Sequence, residues 1–280
     1  MRTRGAEILA CMRLDWGEVV RSRWLVSAAA VYGALAAVFV IIGARESTVL
    51  GFTGMDRVLL SFCHALLFFL PLLALTATAQ VINRARDDGT LELLFSHPLS
   101  RGGYFVAVSM TRYLTLVLPL LLLIVAMAIG GALVVGGSIP WAFVGRALAV
   151  NAALGWAFVG AGLAVSTLVR DQTKAIVYAL ILWALAVALL DFALIGLLLR
   201  FQLNPRVVFL LAALNPIQTA RLALLSAVEP ELGAFGPVGF YLATRVGGPG
   251  LFALGVAWPI VSGAAFWSLG FWSFRRGDLV

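Results

Sequence analysis

The chain has 280 residues, of which 62% are hydrophobic and only 12% charged, with a mean hydropathy of +1.03. Soluble domains average about 45–50% apolar and about 25% charged, so this composition excludes a soluble protein and marks an integral membrane one. The net charge of +7 comes from arginine, with Lys174 the sole lysine; its cations flank apolar runs, as in membrane proteins, and nucleic acid is not an expected partner. Cys11 and Cys63 are the only cysteines, so there is neither a disulfide framework nor a CxxC metal or redox site.

Residues 1–23 carry five arginines, yet Ile8, Met12, Trp16, Val19 and Val20 recur at helical spacing, which predicts an interfacial helix lying flat. A signal peptide is the competing reading, but no small-x-small cleavage site precedes a polar region. Residues 24–43 then give a first span of roughly the twenty residues a bilayer requires. Arg45, Glu46, Asp56 and Arg57 mark an external loop, and 58–81 forms a second span with a kink expected at Pro71.

The next stretch, 84–101, reads RARDDGTLELLFSHPLSR and is a charged island between long apolar runs. Arg84, Arg86, Asp87 and Asp88 do not belong in hydrocarbon, Gly89 permits a sharp bend, and Asp88 or Thr90 can cap a following helix. Leu91, Leu94 and Phe95 fall on one face, Glu92 suits the first turn through the macrodipole, and Pro98 ends the helix near Ser96. A two-turn amphipathic helix at the membrane surface is expected.

Beyond it, 104–135 is a third span whose Arg112 should snorkel to the interface. Gly136 to Pro140 is a tight external turn, 141–169 a fourth span, 170–174 an internal loop and 175–199 a fifth span. Within 200–248, Pro205, Pro216, Pro230 and Pro237 chop the chain into pieces too short to cross. Asn215-Pro216 reads as an N-cap with proline at the first helical position; Ile217, Ala220, Leu224 and Val228 line one side and Arg221 another. This predicts an amphipathic helix on the outer face. The sixth span is 249–274, anchored inside by Arg275 and Arg276.

These six spans, with both termini cytoplasmic, place 13 of the 20 Lys and Arg residues inside and 7 outside, as the positive-inside rule asks. The fold class is therefore an all-α integral membrane protein forming one domain over 1–280. It has six transmembrane helices, an interfacial N-terminal helix, a short cytoplasmic helix between spans two and three, and short external helices before span six.

The run Asp87-Asp88-Gly89-Thr90-Leu91-Glu92-Leu93-Leu94, followed by His97-Pro98-Leu99-Ser100-Arg101, resembles the acidic-x-Gly-Thr-Leu-Glu-x-Leu-Leu…Pro-Leu-x-Arg signature of ABC-2 type transporter permeases. The family usually has Glu at the position of Asp87 and often an acidic residue at that of Ala85. The resemblance implies that 84–101 is the coupling segment, with Arg86, Asp87, Gly89, Thr90, Leu91, Glu92, Leu94, Phe95, Pro98 and Arg101 meeting a cytoplasmic ABC ATPase subunit. It also implies a second permease copy or homologue, a site in the bacterial cytoplasmic (inner) membrane, and an outer gate at Asn215, Pro216, Ile217, Arg221 and Leu224. Arg23-Trp24, Gly51-Phe52-Thr53 and Asn215-Pro216 with Arg221 look most like permeases of the nitrous-oxide-reductase maturation subgroup. That subgroup works with an ATPase and a periplasmic accessory partner in maturing a copper enzyme.

No Gly-x-x-x-x-Gly-Lys phosphate loop occurs, so ATP and Mg are expected in the partner chain and no cofactor or metal in this one. Candidate intramembrane polar residues are His64, Arg146, Asn151 and Asp191, each either lining a path or satisfied by a neighbouring helix. Cys63-His64 with Met110 and Met127 does not make a soft-metal path, which would stack several thiols or thioethers on one face. The apolar helices select no cargo, leaving an exporter of a drug, lipid or ion as an alternative. A membrane scaffold or intramembrane enzyme is the alternative from another class, but no nucleophile–base pair is readable.

Overall fold

The computed structural model describes residues 4–21, 23–50, 55–97, 99–135, 138–189, 213–228 and 245–277. Asp191, Pro98, Gly51–Thr53, the end of the expected fifth span and most of 200–248, with Pro205, Pro230 and Pro237, lie outside the described residues. Those described are mostly α-helical, with one π-helical stretch at Leu185–Leu189 and no strand among them. In order the α-helices are α1 (Arg4–Arg21), α2 (Arg23–Leu50), α3 (Met55–Thr78), α4 (Val81–Asp87), α5 (Thr90–Phe95), α6 (Arg101–Val135), α7 (Trp141–Leu168), α8 (Gln172–Ala184), α9 (Pro216–Val228) and α10 (Gly247–Arg276).

Among the described residues, four helices are long and apolar enough to cross a bilayer: Val58–Asp87, Arg101–Leu133, Trp141–Leu168 and Gly247–Arg276. A fifth results if the pair Ile8–Arg21 and Val26–Phe39, bent by 63°, is taken as one span. Helix α2 continues through Arg45 and Glu46, and α3 already includes Asp56 and Arg57, so these residues are helical where a loop was expected. Pro71 sits inside α3 without interrupting it. The break comes instead at Ala79–Gln80, between α3 and α4.

Helix α7 is the centre of the packing, buried along most of its length. It meets α10 through small residues: a Cβ on Gly263 would lie 2.8 Å from the Ala157 Cα, and one on Gly160 would lie 2.5 Å from the Gly263 carbonyl oxygen. Lipid offers helices no hydrophobic reason to associate, so close backbone approach at small residues supplies dispersion contact instead. Polar side chains add ties between helices. The Trp267 indole donates to the Ser109 hydroxyl at 2.9 Å, joining α10 to α6, and the Tyr113 hydroxyl donates to the Ala152 carbonyl at 3.1 Å, joining α6 to α7.

Helix α1 packs on α6, with a face other than the one its apolar periodicity predicts. Cys11, Asp15 and Val19 point inward, whereas Trp16 and Val20 are exposed and Ile8 and Met12 half-buried. The reason is Arg112, expected to snorkel but in fact donating to Asp15 at 2.7 Å, with both side chains at most 13% exposed. Burial pushes the Asp15 carboxyl above the usual carboxylate range, and the pull of Arg112 only partly offsets it. Removing one member of a buried pair strands the other charge at a cost of about 3–5 kcal/mol, whereas removing both costs far less. Asp15→Leu should therefore lower the melting temperature of the purified protein sharply, and adding Arg112→Leu should recover most of the loss. Additive losses in a double-mutant cycle would mean that the pair carries no coupling.

Candidate functional site

The end of the molecule carrying α4 and α5 gathers most of the residues singled out in 84–101. Asp88 closes α4 through its backbone N–H, and Gly89 then takes φ +69°, the left-handed conformation that glycine adopts without strain. Gly89, not Asp88 or Thr90, occupies the N-cap position of α5, and no side chain caps that helix. Its carbonyl accepts from the Leu93 N–H at 3.1 Å, while Glu92 lies in the first turn, where the helix dipole favours an acid. The helix ends at Phe95, one residue short of the expected Ser96, whose N–H closes it on the Glu92 carbonyl.

The apolar stripe of α5 faces its own chain. Leu91 is fully buried, and Leu94 and Phe95 pack against the core. The Phe95 ring lies edge-on to Tyr104 at 5.9 Å and tilted against Phe274 at 6.4 Å, so it touches the start of α6 and the end of α10 together. The outward face presents Glu92, Ser96, His97 and above all Leu93, which is 68% exposed.

Long-range hydrogen bonds fix this end to the spans. The Ile82 N–H, a first-turn donor of α4 with no intrahelical acceptor, is satisfied by the Ser166 hydroxyl of α7 at 2.9 Å. Asp87 accepts from the Gln172 amide at 2.6 Å, and Gln80 donates to the Gln172 carbonyl at 3.2 Å, which joins α4 to the start of α8. Arg101 donates to the carbonyls of Arg275 and Gly277 at 3.3 and 3.2 Å, holding the end of α10 to the start of α6. Arg86 is half-buried, and its Nε and one terminal nitrogen have no hydrogen-bond partner among the described residues. Ser166 and Gln172 escaped the sequence reading, since they sit on apolar or loop segments with no local pattern.

The second predicted cluster partly assembles. Asn215 caps α9 as expected, its Oδ1 accepting from the Ile217 N–H at 3.0 Å, with Pro216 as the first helical residue. The helix is not an amphipathic element with one covered side, however. Gln218, Thr219 and Ser226 are buried along with Ile217, Leu222 and Leu224, among α3, α7 and α10. Thr219 and Ser226 tolerate this by donating to carbonyls of their own helix, Pro216 and Ala223. Arg221 reaches Gln218 at 3.5 Å and lies within electrostatic range of His64 on α3. The His64 Nε2 is buried without a partner among the described residues. Buried Asn151 on α7 donates to the Ala147 carbonyl at 2.9 Å and approaches the neighbouring Cys63 thiol. His64 on α3 thus comes near Arg221 on α9, and Asn151 on α7 meets Cys63 on α3, while Arg146 goes elsewhere, its guanidinium 5.7 Å from the Phe252 ring centre on α10. Among the described residues, no group of three or more His, Cys, Asp or Glu could hold a metal ion.

Among the described residues the chain is helical with at least four membrane-crossing helices, and the short α5 packs against two of them, α6 and α10, which is the construction of a multi-pass membrane protein. The family model described as "ABC-2 family transporter protein" matches residues 9–279, and the chain belongs to that family of transporter permeases. It is 31% identical over 230 residues to the "Probable ABC transporter permease protein NosY" of Stutzerimonas stutzeri, covering 80% of this chain and 83% of that one. It is 28% identical over 222 residues to the protein of the same name from Pseudomonas aeruginosa, covering 78% and 81%.

Proposed function

We propose that this chain is the membrane-spanning permease subunit of an ATP-driven transporter, with six spans and both termini on the cytoplasmic side. A separate ATPase, holding ATP and Mg, acts on it through α5. The observation that carries this reading is the two-sidedness of α5: Glu92, Leu93 and His97 are free for a partner, while Leu91, Leu94 and Phe95 grip α6 and α10. A short helix exposed on one side and bonded to several spans on the other can pass a partner's motion into the bilayer. Transport runs between two copies, or between this chain and a homologue, in the bacterial cytoplasmic membrane. We place the gate at α9, where Arg221, His64 and Asn151 are the polar groups a cargo would meet. The role we assign is the one the subgroup resemblance suggests, maturation of nitrous oxide reductase together with a periplasmic accessory protein.

Two measurements test this. Co-expression with its partner ABC ATPase should give a complex that survives purification and hydrolyses ATP faster than the ATPase alone, and Leu93→Glu should reduce its recovery about tenfold. A complex unaffected by Leu93→Glu would put the contact elsewhere. Orientation is read by single-cysteine labelling after Cys11 and Cys63 are replaced. A membrane-impermeant thiol reagent on intact cells should modify Glu231→Cys and spare Asp278→Cys, and the reverse pattern would invert the topology.

A further inference from the structure

Between α1, the α3–α4 break, the Asp88–Thr90 turn and the first turns of α6 lies a cavity of about 370 Å³. That is within the usual range for ligand pockets, roughly 300–1,000 Å³, and about ten times the share of one water molecule. Its charged lining is mixed: the carboxylates of Asp15, Glu18 and Asp88 and the guanidiniums of Arg84 and Arg112, with Tyr104 alongside. Asp15 and Arg112 neutralise each other at 2.7 Å, yet the second carboxylate oxygen of Asp15, on a side chain nine-tenths buried, has no hydrogen-bond partner among the described residues. Nor do Glu18, Asp88 and Arg84 form ion pairs among the described residues.

A buried carboxylate oxygen without a donor costs free energy, but this one has almost no accessible surface, so an N–H in the cavity reaches it only if the Asp15 side chain turns, and the exposed Glu18 carboxylate is the open acceptor beside it. The walls ask for two opposite charges at once: a compact cation with several donors for Asp15 and Glu18, and an anion for Arg84. A quaternary ammonium could neutralise the carboxylates but has no N–H to give, and a simple anion would meet three carboxylates. Helix α1, which forms one wall, exposes Leu9, Trp16 and Val20 on its far side, as a helix lying in a bilayer interface does.

From this geometry we propose that the cavity binds the ammonium–phosphate headgroup of an ethanolamine phospholipid, its ammonium toward Asp15 and Glu18 and its phosphate toward Arg84. The lipid wedges the interfacial helix against the α4–α5 end of the permease. This goes beyond the transport reading and does not depend on it.

The test is lipid retention by the full chain, with its ATPase where the complex forms. The protein is reconstituted in nanodiscs of equal phosphatidylethanolamine, phosphatidylcholine and phosphatidylglycerol, then released in a native mass spectrometer. One phosphatidylethanolamine per chain should persist at collision energies that strip the other two. Glu18→Gln and Arg84→Gln, which leave the Asp15–Arg112 pair in place, should each lower the retained fraction at least fivefold. Equal retention of the three lipids, selective retention of phosphatidylglycerol, or variants that retain phosphatidylethanolamine like the parent would each overturn the proposal. Glycerophosphoethanolamine added to protein in phosphatidylcholine-only nanodiscs separates the sources. Saturable calorimetric binding without selective lipid retention would keep the zwitterion chemistry, overturn the lipid and assign a soluble ligand.

Discussion

Gly263→Leu should prevent stable folding of the membrane domain, the largest effect expected of any single substitution in the seam between α7 and α10. The added side chain would start from a Cβ 2.8 Å from the Ala157 Cα and 2.9 Å from its nitrogen, positions no rotamer change can relieve because they belong to the opposing backbone. Overpacking costs about 1–3 kcal/mol where side chains can yield. Here two helices must part, and the contacts they share at Gly160, Gly263 and Gly270 go with them. Against a total stability of about 5–15 kcal/mol, that is enough to empty the folded population or nearly so. Gly263→Ala should already lower the melting temperature. Gly145→Ala, in α7 with nothing within 4 Å of the new Cβ, should be neutral or stabilise by up to about 1 kcal/mol through helix propensity. Detergent-solubilised protein followed by size exclusion and tryptophan fluorescence reports all three, and a well-folded Gly263→Leu protein would contradict the packing.

What could be read from the residues divides along the distance over which each feature is decided. The bend at Gly89, the single face shared by Leu91, Leu94 and Phe95, and the Asn215-Pro216 cap depend on neighbours a few positions away, and the chain spells them out. Whether that face meets a partner or its own chain is decided by Tyr104 and Phe274, and local periodicity is silent on that. The face of α1 differs from the expected one for the same reason: the apolar stripe of Ile8, Met12, Trp16, Val19 and Val20 does not include Asp15, and the partner that holds Asp15 inward, Arg112, lies 97 residues on. In α9, Gln218, Thr219 and Ser226 look like a wet side, but carbonyls of the same helix satisfy two of them, so burial costs little. The α7–α10 seam did leave a trace that went unread. Gly263 and Gly270 are seven residues apart, two helical turns, as small residues on one packed face should be.

Phe95→Ala should separate binding of the ATPase from its coupling. The outward face of α5 is untouched by this change, since Leu93, Glu92 and His97 keep their exposure and the Gly89 turn its backbone, so recovery of the complex should stay within about twofold of the parent. What disappears is the ring that bridges Tyr104 on α6 and Phe274 on α10. Each such aromatic contact is worth about 0.5–1.5 kcal/mol beyond the area it buries, and losing the pair lets α5 move without dragging both spans. A loss near 1.4 kcal/mol in the step that transmits motion corresponds to about a tenfold fall in rate, which should appear as lost permease-dependent stimulation of ATP hydrolysis. Gln172→Ala, which removes the side-chain tie to Asp87 but leaves the Gln172 carbonyl for Gln80, should give a smaller loss of the same kind. Leu93→Glu should do the opposite, weakening the complex while any that assembles hydrolyses ATP at a near-parental rate. If Phe95→Ala and Leu93→Glu instead lowered recovery and stimulation in the same proportion, the two faces of α5 would not have separate jobs, and transmission would have to run through α4 and Gln172 alone.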